Sequence, residues 1–448
     1  MDPHYLEGSD VAQACHRKGN NSDAGKFGAL NTNCDTPVAL VDGVFDFMKT
    51  LPPHDFILFN GDAARHNRDK KEIKRSPEEV YDAHQYIQNK FTTTFTNTRV
   101  FPVLGNNDVL KNNDVAGNDP IYEKVKSLWE PYHLHLDQDF TKGGYYIEDL
   151  IPGKLKLINT NTMLFIMENE LISTDCDVQD GPGAIHIDWL QRQLQDARTA
   201  NVRVYLSVHV PPNSKRDRIF YKPVCYYKYF QLLGDYGDVI LGHFSGHFNN
   251  DILTAVVDGP GFDQCNKTAY GHANVSDSSG SGAGDGEGED NNANTSRRKR
   301  SLVKRKKKNK LILSASDVRP PYGHIALLGH PLPLDNPPMV KTTLFGSPSI
   351  IPLNNPGFRV YEYETSGQNG IPVGTILNYH QYYADLQEAN KNGRLDFKLE
   401  YHANELYGVP RFDAAGTAQA FANVAPHPER YEAATRVRNP LPAPLDDS

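Results

Sequence analysis

Asp62, Asn106, His209 and His247 have side chains that could hold metal. Each stands at or just beyond a short apolar run: FILFNGD, VFPVLGNND, VYLSVHVPP and VILGHFSGHFNND. One carboxylate, one amide oxygen and two imidazoles form a hard-to-borderline donor set suited to Mn, Fe, Co, Zn or Mg. A carboxylate such as Asp62 can bridge two cations. A pair about 3.5–4 Å apart can clamp the attacking and leaving oxygens of a phosphoryl displacement. Each residue alone has a plainer account. Asp62 after Gly61 can cap the next segment, Asn106 beside Gly105 suits a turn, and a lone strand histidine is more often hydrogen-bonded structure than ligand. Their conjunction, in this order and each after a strand, favours a metal site. His243, four residues before His247, invites a helical pair, but Gly242 and Gly246 argue against helix there, so His243 is read as structural.

Positioning these residues requires strands that end at one edge of a sheet. Phe56–Phe59 reads as a short buried strand, Val100–Leu104 as another, followed by Leu155–Ile158, Val202–Val208 and Val239–Leu241. Helices fall between them. Residues 37–51 are amphipathic, with Pro37 in the first turn. Residues 76–95 open on a capping box of Ser76, Pro77 and Glu79. His186–Asn201 buries Trp189, Leu190 and Leu194. Strands alternating with helices, each strand ending in a polar loop, predict a layered α/β sheet with the site at the strand ends.

The chain has 448 residues and a net charge of −8, so an anionic partner has to be met by local positive charge or metal. Residues 1–258 read as one domain. An insert over 259–310 follows, expected to be disordered because 276–296 hold too little apolar surface to order. It ends in RRKRSLVKRKKKNK, with ten basic residues in fourteen positions. Order is expected to resume near Leu311, with strands in TTLFGSPSIIPLNNPGFRVYEYE, and 311–410 to pack on the domain. The Ala/Pro-rich 411–448 reads as a flexible tail. Sequons at Asn20, Asn266, Asn274 and Asn294 suit surface loops. The five cysteines show no C-x-x-C spacing, which disfavours a zinc-thiolate site. With the sequons they point to a lumenal or secreted protein with one or two disulfides, Cys15 to Cys34 a candidate, and one cysteine left over. Yet MDPHYLEGSD is polar, no signal peptide is read, and no apolar run reaches the length of a membrane span.

The sequence GD-x-x-x-H, then GN-x-D, then H-x-P-P, then GH-x-N resembles the calcineurin-type metallophosphoesterase superfamily, in the branch holding acid sphingomyelinases and fungal endopolyphosphatases. The likeness covers most of 1–258 and resumes over Ser347 to Tyr363. It implies a two-sheet β-sandwich flanked by helices, two divalent metal ions, and hydrolysis by a metal-activated water. It also implies that Asp62 bridges the metals, that Asn106 and His209 bind one of them with His247 joining, and that His66 protonates or steadies the leaving oxygen. Two departures separate the branches. Where sphingomyelinases carry GNHE, this chain has Asn107, which cannot donate a catalytic proton. Where they carry GH-x-H, it has Asn249, a weaker neutral oxygen ligand. Both match the endopolyphosphatase pattern, so inorganic polyphosphate is the expected substrate and a sphingomyelinase-like diester the alternative. Asp108 is expected to orient a metal-binding group.

The superfamily's first strand ends in D-x-H. Asp2 and His4 form D-x-H, but no apolar strand precedes them, and DPHYLEG aligns better just downstream of that motif. A chain that starts beyond its first strand would account for the missing strand, motif and membrane address together. A non-catalytic polyanion-binding remnant is then a further alternative. The full-length form is expected in a vacuolar or lysosomal lumen, with a membrane anchor only there. Nucleic acid is not the expected partner. The basic run is read as a solvated insert, a processing-protease site at Arg297–Arg300, or a strip that captures polyphosphate by counterion release.

Overall fold

A computed structural model describes residues 1–70, 72–212, 219–258, 322–326 and 339–427. The basic run, Cys265, the sequons at Asn266, Asn274 and Asn294, and the expected restart at Leu311 lie outside them. In chain order the principal elements are α1 (Val38–Met48), β1 (Phe56–Phe59), α2 (Pro77–Thr94), β2 (Arg99–Pro102), α3 (Pro120–Leu128), α4 (Gln138–Gly143), β3 (Tyr146–Ile151), β4 (Leu155–Asn159), α5 (Pro182–Thr199), β5 (Arg203–Val208), α6 (Pro223–Asp235), β6 (Ile240–Ser245) and β7 (Ile252–Asp258). Then come β8 (Tyr322–Ala326), β9 (Val340–Gly346), β10 (Gly357–Tyr363), β11 (Ile376–Ala384), α7 (Leu386–Asn392), β12 (Phe397–His402), α8 (Ala403–Tyr407) and α9 (Ala414–Val424).

Seven strands form one sheet in the order β3-β4-β5-β6-β9-β7-β8, parallel from β4 to β9 and antiparallel at both margins. Alternation along its strands feeds two cores. Val204 and Leu206 point to one face, where they meet α3, α4, α5 and α6. Tyr205, Phe244 and Phe345 point to the other, where they meet Phe101 of β2, Tyr379 of β11, and α8 and α9. That second layer consists of the parallel pair β1-β2 and the antiparallel sheet β10-β11-β12. Helices α1 and α2 cover β1-β2 from outside, while α1 and α7 cover β10-β12. The result is the expected two-layer sandwich between helices, with its second layer in two pieces.

Several boundaries move for physical reasons. Helix α5 starts four residues earlier than the sequence reading, with Pro182 in its first turn after Gly181. Ser76 caps α2 through Glu79 N at 3.2 Å, but Glu79 turns its carboxylate to Arg65 Nη2 at 3.1 Å, which leaves the expected box half made. Strand β1 was expected to be buried; all four residues are only half-buried, because among the described strands it pairs with β2 alone. The expected tail from 411 begins instead with α9. Asp413 caps that helix, and Thr417, Ala420, Phe421 and Val424 are buried at helical spacing. Cys15–Cys34 and Cys176–Cys225 are disulfide-bonded.

Candidate metal centre

The β1 end turns sharply through Gly61 and Asp62, both with left-handed backbone (φ 90° and 65°). A Cβ on Gly61 would lie 2.6 Å from the backbone N of Gly105, and one on Gly105 would lie 2.2 Å from Asp62 Oδ1. Two glycines therefore let the loops after β1 and β2 touch backbone to backbone. Asp108, wholly buried, joins them. Its carboxylate accepts from the N–H groups of Asp62 (2.7 Å), Ala63 (2.7 Å), Ala64 (3.2 Å) and Gly105 (2.9 Å). Arg75 grips the same loops by their carbonyls, donating to Arg65, Asn107 and Val109 at 2.8–2.9 Å.

Asn107 holds both oxygens of Asp62, through its backbone N–H to Oδ1 (2.8 Å) and its amide to Oδ2 (3.0 Å). Burial pushes the Asp62 carboxyl up, but His209, His66 and the Asn107 N–H outweigh it and bring it well below the usual carboxylate range. Asn106 donates its amide hydrogen to Asn112 Oδ1 at 2.9 Å, which fixes its own Oδ1 toward the histidines. His209, just past β5, gives its Nδ1–H to the Asn60 carbonyl at 2.6 Å. Its Nε2 then faces Asn106 Oδ1 at 2.9 Å and Asp62 Oδ2 at 3.4 Å. His247, beyond β6 and also left-handed (φ 66°), brings Nδ1 to 3.1 Å from the same Asn106 oxygen. Side-chain atoms of Asp62, Asn106, His209 and His247 thus lie together beyond the ends of β1, β2, β5 and β6. With Nδ1 of His209 committed as a donor, the inward-facing atoms need a positive species between them, either protons on the rings or a cation.

His66 lies on the loop after Asp62. Its Nδ1 meets Asp35 Oδ1 at 2.6 Å, and its backbone N–H meets Asp35 Oδ2 at 3.2 Å. Burial raises the Asp35 carboxyl, yet the His66 imidazole and Arg68 bring it down to about 2. Asn249 is left-handed (φ 56°), and its carbonyl accepts from Asn354; among the described residues its side chain makes no hydrogen bond to the other four donors. His243 lies in the interior on Tyr229 Oη at 3.1 Å, with burial holding its pKa near 3, in keeping with a structural role. Asp2 and His4 belong to a separate cluster with His16 and Glu79. Asn20 is exposed. Asp175, Cys176 and Cys225 lie close enough to hold a metal, but both thiols are taken by the disulfide.

Sequence reading missed Asn60, Asp35, Arg75 and the carboxylate-holding role of Asn107. Arg75 had a signal, a basic residue directly before the Ser76 cap. Asp35 had a weaker one in Cys34-Asp35, beside a cysteine already suspected of bridging.

The acid sphingomyelin phosphodiesterase C-terminal region matches residues 343–417. An endopolyphosphatase of Cryptococcus neoformans var. neoformans is 32% identical over 286 residues, 56% of this chain and 41% of the relative. Over just over half its length, the chain is similar to fungal endopolyphosphatases. The Saccharomyces cerevisiae protein of that name is 30% identical over 267 residues, 56% of this chain and 39% of the relative. This chain spans about two fifths of the length of these curated relatives. A solved structure of PhoD is similar with a TM-score of 0.42 and 7% identity, covering 80% of this chain and 65% of that one, too distant to weigh. The endopolyphosphatase likeness agrees with the resemblance read from the motifs.

Proposed function

We propose that this chain carries the catalytic centre of a metal-dependent endopolyphosphatase, which hydrolyses internal phosphoanhydride bonds of inorganic polyphosphate. The observation that carries the reading is the convergence of Asp62, Asn106, His209 and His247 through lone pairs, with Asn60 and Asn112 fixing the orientation of two of them. Divalent ions held there, with Asp62 as the bridge and Asn249 as a further oxygen ligand, would supply charge neutralisation and an activated water. Asn107 and Asp108 keep the Asp62 carboxylate aimed. His66, its Nδ1 on Asp35, presents Nε2 to the departing phosphate. As a new P–O bond forms to water and the P–O bond to the leaving chain breaks, His66 gives that oxygen its proton and Asp35 steadies the imidazolium. The names of the curated relatives, with Asn107 and Asn249 in place of histidines, support polyphosphate. The two disulfides and the exposed Asn20 sequon support a glycosylated protein of an oxidising lumen such as the vacuole.

The match over 343–417 favours a second reading, a sphingomyelinase-like phosphodiesterase. The full-length protein, loaded with Mn, Mg, Co, Fe or Zn in turn, separates the two. Shortening of long polyphosphate on a gel supports the first, and release of choline phosphate from sphingomyelin the second. Binding of polyphosphate with no cleavage under any metal overturns both and leaves only polyanion capture.

A further inference from the structure

We propose that Asn354 is a positioning residue, which holds the His247 loop in its left-handed conformation from the β10–β12 side of the molecule. The inference rests on the reading of His247 as a metal-side residue.

Between Gly246 and Asp251 the backbone takes two left-handed non-glycine residues within three positions, His247 at φ 66° and Asn249 at φ 56°. Such conformations cost free energy and persist where the surroundings over-determine them. Inside this loop Phe248 N–H donates to Gly246 O at 2.7 Å. Gly246 N–H donates to the His209 carbonyl at 3.2 Å, the Phe220 ring packs on His247 and Phe248, and further ties come from residues more than a hundred positions away. Asn354 Nδ2 donates to Asn249 O at 2.8 Å and to Asn250 Oδ1 at 2.9 Å, so the amide forks across the residue after His247-Phe248. At the loop's far end the wholly buried Asp251 takes Arg359 and the Tyr401 hydroxyl. Arg359 is itself fixed by Gln381 Oε1 at 2.9 Å and by the Tyr379 ring, 4.5 Å from its guanidinium carbon. Arg359, Gln381 and Tyr401 lie on three adjacent strands, so Asp251 is anchored to a rigid sheet. Asn354 lies just before β10 and completes the grip at the strained residues.

This assigns work to a region that puts no side chain into the donor cluster among the described residues. Its contribution is geometry: with Asn249 O and Asn250 Oδ1 held, His247 Nδ1 stays on the Asn106 oxygen. Asn354 is a sharper probe than Arg359, whose loss would leave the buried Asp251 carboxylate without its guanidinium.

The test uses the full-length protein with Asn354→Ala and Asn354→Asp; the aspartate keeps the shape but lacks both N–H donors. Asn423→Ala is the control, because Asn423 makes the same kind of fork, to the carbonyls of Tyr407 and Gly408, away from the cluster. Both Asn354 variants should weaken Mn2+ binding by calorimetry about tenfold. They should also lower kcat on polyphosphate with KM nearly unchanged, and speed amide hydrogen exchange over 246–250. Asn423→Ala should leave all three at wild-type values. Wild-type Mn2+ affinity and exchange in Asn354→Ala would overturn the proposal, as would recovery of both in Asn354→Asp. Faster exchange in the variants of a wild-type protein that binds no metal would instead uphold the positioning and defeat the metal reading.

Discussion

The carboxylate–amide half of the centre and the imidazole half are both built at strand ends, but they are held in different ways. Asp62 and Asn106 follow β1 and β2, a pair of four-residue strands in which β1 is half-buried throughout. His209 and His247 follow β5 and β6, interior strands of the seven-stranded sheet with buried neighbours on both sides. Where the sheet is thin, polar ties supply the precision. Asp108 gathers four N–H groups, Arg75 gathers the carbonyls of the same loops, and two glycines let the backbones meet. Where the sheet is thick, strand pairing carries more of the load: at His209 the Asn60 amide bridges to Ser207 Oγ and Val208 O at 3.1–3.2 Å, and at the His247 loop Asn354 and the Asp251–Arg359 pair tie the strand end to the neighbouring sheet. A hydrogen-bonded carboxylate can thus replace strand burial as the source of rigidity, at the cost of depending on single residues.

The sharpest break is Asp62→Ala. Hydrolysis of polyphosphate should fall at least about a thousandfold, by loss of the group proposed to bridge the cations. Metal content measured on the purified variant should fall with it, and retention of both ions would remove Asp62 from that role. Next comes the stitching. Asp108→Ala leaves four N–H groups without their acceptor and should destabilise the protein by about 3 kcal/mol in urea titration. Arg75→Met should cost a similar amount. If both variants unfold at the wild-type midpoint, the half around β1 is held by packing after all and the contrast between the halves fails.

His66→Ala tests chemistry without architecture. Its kcat should drop about a hundredfold while bound metal stays at the wild-type amount. Asp35→Asn should reproduce part of that loss, because the ring would keep a hydrogen-bond partner but lose the charge that steadies its protonated form. Loss of metal in either variant would move His66 from the leaving oxygen to the metal shell.

The donors themselves were legible because each combined an apolar run with a glycine turn or a proline, a pattern carried by local chemistry. The layered α/β order was legible for the same reason. Asp35, Arg75 and Asn354 were not, since their work depends on partners 31, 32 and 105 positions away along the chain. Helix α9 was missed although its signal was present. Asp413 stands at the cap, and Thr417, Ala420, Phe421 and Val424 follow at spacings of three, one and three; alanine and proline content nearby masked it. The half-exposed state of β1 could not be read, because FILF looks the same whether a strand has one neighbour or two.

The smallest effect is the most discriminating, because it compares the halves by pH. Asp35, on the carboxylate side, has its pKa lowered from 3.8 to about 2 in the folded protein by His66 and Arg68 against burial. A depressed carboxyl stabilises above its unfolded pKa, and that stabilisation disappears as pH falls through the folded value. Asp35→Asn should therefore be less stable than wild type by about 2 kcal/mol at pH 5 and above, with the gap closing between about pH 4 and pH 2. His243, on the imidazole side, is lowered from 6.5 to about 3 by burial. The unfolded chain binds that proton first, so wild type loses stability as pH falls from about 6.5 toward 3, and His243→Phe should flatten that slope. Urea titrations at intervals from pH 7 to pH 2 resolve the two windows. If Asp35→Asn matches wild type at every pH, the Asp35 carboxylate contributes no charge to His66, and the histidine is then placed by a neutral hydrogen bond that a carboxamide can replace.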